Sequence, residues 1–192
     1  MDKIELFKNE LVYIKNEKIK EFTIQAIQLL PDYFFAIPAS STGKYHPSYS
    51  LGDGGLYRHT RAAIRIAVEL FRIDWWNFTS DEKDLILSSL FVHDGWKSGL
   101  LHETYTRADH PVIAFSVLNE NENLKNLLVP EQFNMFLNNI LTHMGSWNKD
   151  FKTGQEVMPK PSTEFQKFVH LADYLASRKC LEMNFDIPLS VE

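Results

Sequence analysis

Imidazoles and carboxylates recur at helical positions that ought to be apolar, and nothing else in this chain constrains its fold as strongly. In order they are His59, the adjacent pair His93-Asp94, His110, His143 and Asp173, each in or beside a stretch of helical periodicity. Asp173 is the sharpest case. Val169, Ala172 and Ala176 define one face of a helix, and Asp173 falls inside it. An ionised carboxylate there costs several kcal/mol unless it is paired or bound to metal. His59 shares a stripe with Ala63 and Ile66, and His143 follows Phe136 and Ile140 on one face. One such histidine is usually a satisfied core residue, and one such aspartate usually has a salt bridge or a cap-like hydrogen bond. An ordered set of them points to metal, because imidazole and carboxylate hold divalent ions without cysteine. His110 opens a helix and reads equally well as a surface residue. Of the other histidines, His170 reads as a hydrogen-bonding neighbour of the Asp173 face and His102 as surface.

The apolar spacing predicts an all-α domain. Residues 4–30 read as helical, and Pro31 ends that run. From Pro31 to Leu56 the pattern fails, broken by Pro38, Gly43, Pro47, Gly52, Gly54 and Gly55. Helical spacing returns at His59. Thr79 or Ser80 can cap a helix that ends at His93-Asp94, with Gly95 behind it. Further helices are expected from Asp109 or His110, from Pro130 to His143, and from Ser162 or Thr163 through Ala176. Gly145 to Pro161 is a second irregular stretch, and convincing alternating strands are absent. Long irregular loops inside a compact domain are more often functional than idle. The expected architecture is one domain, with residues 1–30 packed on a core formed by 31–192 and two long loops.

Composition narrows the function classes. The chain has 192 residues, 44% of them hydrophobic, which suits one domain with a real core. A net charge of -5 argues against a broad polyanion-binding surface, though not against a local basic pocket. Cys180 is the one cysteine, so no intrachain disulfide forms and a reducing compartment is expected. Cys180 reads as a small hydrophobe on a helix face. Nothing at the N-terminus resembles a signal peptide and no apolar run is long enough for a bilayer, so the expectation is a cytoplasmic protein.

Three stretches carry a resemblance. They are Gly54-Gly55-Leu56-Tyr57-Arg58-His59-Thr60, His93-Asp94-Gly95-Trp96-Lys97 and His170-Leu171-Ala172-Asp173-Tyr174-Leu175. Together they resemble the HD-domain metal-dependent phosphohydrolases over residues 34–178, nearly the whole chain. Within that superfamily the pattern is most similar to the HD domains of YhaM-type exoribonucleases and of relaxases, where Tyr45-His46 and Gly54-Gly55-Leu56 stand in a comparable stretch. The sequence departs from those relatives in two ways. It shows no OB-fold segment, and His143-Met144 stands where they carry a His-His pair.

The resemblance implies an HD-domain helical bundle and a metal-dependent phosphohydrolase or phosphodiesterase. His59, His93, Asp94 and Asp173 would hold a first divalent metal, and Asp94 would bridge to a second with His110 and His143. One or two ions are expected. The mixed ligands suit Mn, Fe, Co, Ni or Zn better than a pure Mg site, without excluding Mg. Asp94 and Lys97 are the implied catalytic residues: metal-activated water attacks phosphorus, and Lys97 offsets charge on a phosphate oxygen. Lys44, His46, Gly55, Tyr57, Arg58 and Trp147 are the expected substrate-binding residues, with Arg61 and Arg107 as further cations and Trp96 or Trp147 as a base-stacking surface. For each of those cations an ordinary surface charge is an equally good reading. The expected substrate is a small phosphate compound of nucleotide type rather than extended nucleic acid. The alternative is a silent metal- and nucleotide-binding module acting as sensor or regulatory subunit, for which Met144 is the motivation.

Overall fold

The computed structural model describes residues 2–187. It is all-α, with eight α-helices and no strands among the described residues. They are α1 (Lys3–Leu11), α2 (Glu17–Gln28), α3 (Gly55–Leu70), α4 (Ser80–Val92), α5 (His110–Asn119), α6 (Glu122–Lys125), α7 (Pro130–Thr142) and α8 (Glu164–Ala176). Short 3-10 turns at Asp32–Phe35, Ser48–Ser50 and Gly145–Trp147 break up the two long connections. An isolated bridge pairs Lys149 with Glu156 in the second of these.

Helix starts follow side-chain capping. Thr79 and Thr163 each accept from the backbone three residues on while Glu82 and Gln166 reach back, closing two capping boxes. The single helical run expected over residues 4–30 is in fact two helices. Asn16 accepts from Lys18 N and Ile19 N and so starts α2 afresh. Asp84 of α4 fixes the intervening turn by accepting from Lys15 N at 3.0 Å and Asn16 N at 2.7 Å. Four residues before His59, α3 already starts at Gly55, where Gly54 at φ 69 turns the chain into it.

Helix α4 is the centre of the bundle. Its Asp84–Val92 stretch is buried on all sides, against α2, α3, α7 and α8. Helix α3 packs on α8, α7 joins α5 to α8, and α1 lies across α2 and α3. The core is rich in Phe: Phe7, Phe22, Phe34, Phe91, Phe136 and Phe168 are fully buried. Phe22 meets Phe136 edge-on at 4.7 Å and Phe7 meets Phe91 at 5.2 Å, tying α1 and α2 to the rest. Beside these contacts lies a buried ion cluster. Glu10 of α1 accepts from Arg65 Nε at 2.8 Å and pairs with Arg61 Nε at 3.0 Å. Among the described residues no helix is long and apolar enough to cross a membrane.

Candidate metal centre

The residues singled out on apolar faces converge on one point. Helix α3 brings His59 from its second turn, and His93 caps the C-terminus of α4 with Asp94 just beyond. His110 is the first residue of α5, His143 caps the C-terminus of α7, and Asp173 lies in the last turn of α8. The four histidines and Asp94 are each at most 1% exposed. Asp173 keeps 17% of its side chain accessible and so marks the open side. His110, which reads as a possible surface residue in sequence, is fully buried.

Ligand atoms fall into two groups that share Asp94: His59, His93, Asp94 and Asp173, and Asp94, His110 and His143, with the atoms of each group within 4.8 Å of one another. Asp173 Oδ1 lies 2.8 Å from His59 Nε2 and 3.4 Å from His93 Nε2. Asp94 Oδ2 lies 3.7 Å and 3.6 Å from the same two nitrogens. Its other oxygen turns the opposite way, with Oδ1 2.9 Å from His110 Nε2 and 3.4 Å from His143 Nε2.

Backbone geometry decides which ring nitrogens face inward. Nδ1 of His93 is 2.8 Å from Leu90 O, Nδ1 of His110 is 2.7 Å from Arg107 O, and Nδ1 of His143 is 2.7 Å from Ile140 O. Each is the carbonyl three residues earlier. A carbonyl only accepts, so each Nδ1 carries hydrogen and each neutral ring turns a bare Nε2 lone pair inward. Nε2 of His110 and His143 are 3.2 Å apart. Two lone pairs beside a carboxylate oxygen repel unless a cation lies among them. His93 Nε2 and Asp94 Oδ1 are buried without a hydrogen-bond partner. Leaving such atoms unsatisfied is costly, and a divalent ion satisfies them together. The residues present therefore fit a metal.

The electrostatics agree with an acceptor-rich centre. Burial alone would raise Asp94, but Lys97, His93 and the neighbouring His110 and His143 rings hold its pKa well below the usual carboxylate value. Burial likewise opposes ionisation of Asp173, and His59 and His93 overcome it, holding that carboxyl low. Burial would lower His93, yet the two carboxylates raise it. Burial wins at His110 and lowers it.

Two more side chains reach the centre. Lys97, one turn past His93, sets its ammonium against Asp94 Oδ2. His46 comes from the first long loop, its ring centroid 5.7 Å from that of His59. Burial, then Lys97 and His59, push its pKa down to about 3, so it is neutral.

The other expected substrate residues are placed differently. Tyr57 donates to Leu6 O, and its ring packs 5.0 Å from Phe7, so it joins α1 to α3. Arg58 donates to the carbonyls of Tyr49, Leu51 and Asp53 and holds the loop before α3. Arg61 pairs with Glu10, and Arg107 with Glu103 and Asp109. Lys44 is exposed, its ammonium 5.1 Å from the Tyr45 ring. Gly55 has a packing reason of its own, since a Cβ there would lie 2.3 Å from Ser50 O. Trp96 is core, whereas Trp147 is 47% exposed and stacks on Tyr174 beside His170. His170 Nδ1 lies 2.7 Å from His143 O and so buttresses a ligand helix end. Cys180 is exposed beyond the end of α8, not on a helix face.

Sequence reading missed the supporting shell. The carbonyls of Leu90, Arg107 and Ile140 orient three imidazoles, and no side chain advertises them. Gly145 was legible only as a loop residue. It has φ 59, and a Cβ there would lie 2.3 Å from the His170 ring, so only glycine lets that imidazole approach. Compared with family models, with curated proteins and with solved structures, the chain gives no match in any of the three.

Proposed function

We propose that the protein is a metal-dependent phosphohydrolase or phosphodiesterase acting on a nucleotide-type substrate. The observation that supports this reading most is the division of Asp94, with Oδ2 toward His59 and His93 and Oδ1 toward His110 and His143. One carboxylate set between two ligand groups suits a pair of divalent ions, the arrangement in which attack on phosphorus and charge on its oxygens are stabilised together. The resemblance of the three motifs to HD-domain phosphohydrolases points the same way. A divalent ion held there would lower the pKa of water enough for attack near neutral pH.

The chain's own residues supply the rest. Asp94 and Asp173 bring negative charge that holds cations in place. Lys97 sits at the first group and is free to shift its ammonium from Asp94 to a phosphate oxygen, offsetting charge that grows during the reaction. Asp173, the accessible ligand, marks the side from which substrate enters. The buried walls formed by α4, α5 and α7 exclude water from the opposite side. Trp147 lies beside α8 on the surface and offers a ring face to a base.

The test is hydrolysis of bis-nitrophenyl phosphate and a nucleotide panel with added Mn²⁺ or Zn²⁺. Wild type turns over and Asp94→Ala does not. Identical behaviour of the two defeats the proposal. Nucleotide binding without turnover under any divalent metal would instead mark a silent binding module.

A further inference from the structure

Among the imidazoles of the metal centre, His59 is the odd one. The Nδ1 atoms of His93, His110 and His143 all meet a backbone carbonyl, whereas His59 Nδ1 is buried and has no hydrogen-bond partner. His93 and His143 cap helix ends and His110 opens a helix, but His59 lies inside α3 and its Nδ1 meets no carbonyl. A metal-bound imidazole nearly always donates its second N–H to an acceptor, which fixes both ring orientation and tautomer. The fold leaves this one ligand without that acceptor.

A second orphan lies next to it. His46 Nδ1 is also buried without a partner, and the two rings are neighbours, 5.7 Å between centroids and inclined at 59°. Two unsatisfied buried nitrogens on adjacent rings carry a double penalty that one hydrogen bond removes. We infer that His46 is the positioning residue for His59: with Nε2 of His59 on the metal, its Nδ1–H donates to a bare Nδ1 of His46. A neutral imidazole suits the role, because it keeps one bare nitrogen as acceptor and carries its hydrogen on the other. The bond would also tie the loop at residues 40–50 to the metal, so that the mouth of the site is ordered by the ligand set itself. This inference rests on the proposed metal reading and adds to it an atom-level role for a loop residue.

Zn²⁺ affinity, measured by competition with a chromophoric chelator, tests it on wild type, His46→Ala and His46→Asn. Asparagine places an amide close to the Nδ1 position and can turn its oxygen to accept. The expected result is a loss of about 10- to 100-fold in His46→Ala and largely restored affinity in His46→Asn. Two-bond ¹H–¹⁵N spectra of the Zn²⁺-loaded wild type should show His59 with hydrogen on Nδ1 and the His46 Nδ1 bare. Equal affinity in wild type and His46→Ala overturns the inference, as does a His46 ring with hydrogen on Nδ1. Wild type that binds no Zn²⁺ overturns the metal reading itself, and the two failures are thereby distinguished. Should His46→Ala not fold, His46→Asn and the wild-type spectra still decide.

Discussion

At the scale of single residues, Asp94 carries the account because both ligand groups depend on it. Its loss should abolish metal retention and reduce turnover by about a thousand-fold or more, since several kcal/mol of charge stabilisation go with it. Lys97→Ala should behave otherwise. Metal content stays as in wild type, while kcat falls by about 10²-fold or more, as for removal of one charge-stabilising donor. Kinetics on metal-quantified samples check both; loss of metal in Lys97→Ala would show that Lys97 maintains the site rather than acting on substrate. Much at this scale is legible in sequence. A carboxylate among Val169, Ala172 and Ala176 gains its meaning from the matching imidazoles elsewhere in the chain, and the structure places Asp173 with His59 and His93. His110 belongs to the expected ligand set but reads equally well as a surface residue, because its burial depends on how α5 packs on α7. The cations are misread for a related reason. Arg58 and Arg61 lie next to His59 in sequence, but α3 turns them toward loop carbonyls and Glu10.

At the scale of elements, the helix ends do the positioning. Two of the four imidazoles cap a helix C-terminus and a third opens a helix, so the ring is oriented by the carbonyl three residues earlier. Caps such as Thr79 and Thr163 are readable from sequence because a side chain makes them. Carbonyl contacts are not, since every residue has a carbonyl. The same limit hides the break at Asn16, where the apolar pattern runs on through Ile14 and Ile19 and only the cap interrupts it. Two predictions belong here. Gly55→Ala forces a Cβ onto Ser50 O at 2.3 Å, so α3 must shift from the loop it follows. Denaturant unfolding should show a loss of about 1–3 kcal/mol, and an unchanged midpoint would contradict this packing. Glu10→Ala removes the carboxylate shared by Arg61 and the buried Arg65, which keeps the carbonyls of Asn184, Phe185 and Ile187, and so unlocks α1 from α3. The expected loss is about 3–5 kcal/mol, read from the same experiment; a loss within about 0.5 kcal/mol would mean the ion cluster is incidental.

At the scale of the whole molecule, burying so many ionisable groups couples stability to pH and to metal. Burial holds His46 at about 3 and lowers His110 from its ordinary 6.5. The unfolded chain protonates both at pH values where the folded chain resists, so their contribution is complete above pH 6.5 and lost as pH falls below it. Asp94 and Asp173, held below 3.8, contribute stability that is present above that value and lost as pH falls through their lowered values. His93 acts in the opposite sense. Its raised pKa contributes stability that is complete below 6.5 and lost as pH rises through the raised value. Because the lowering of His46 from 6.5 to about 3 spans this window while His93 opposes it, urea unfolding of metal-free protein from pH 7 down to pH 4 should cost less stability, with a shallower slope, in His46→Asn than in wild type. A slope identical to wild type would contradict the burial assigned to His46. The all-α architecture is legible from apolar spacing, while convergence of five elements on one centre is a tertiary fact that spacing alone does not contain. The central claim is that this convergence exists to hold a divalent ion. The most direct measurement is elemental analysis of protein loaded with Mn²⁺ or Zn²⁺ and then desalted, wild type against Asp94→Ala. The account predicts one or two ions retained per wild-type chain and none in the variant, whereas metal-free wild type, or equal retention by both, would contradict it.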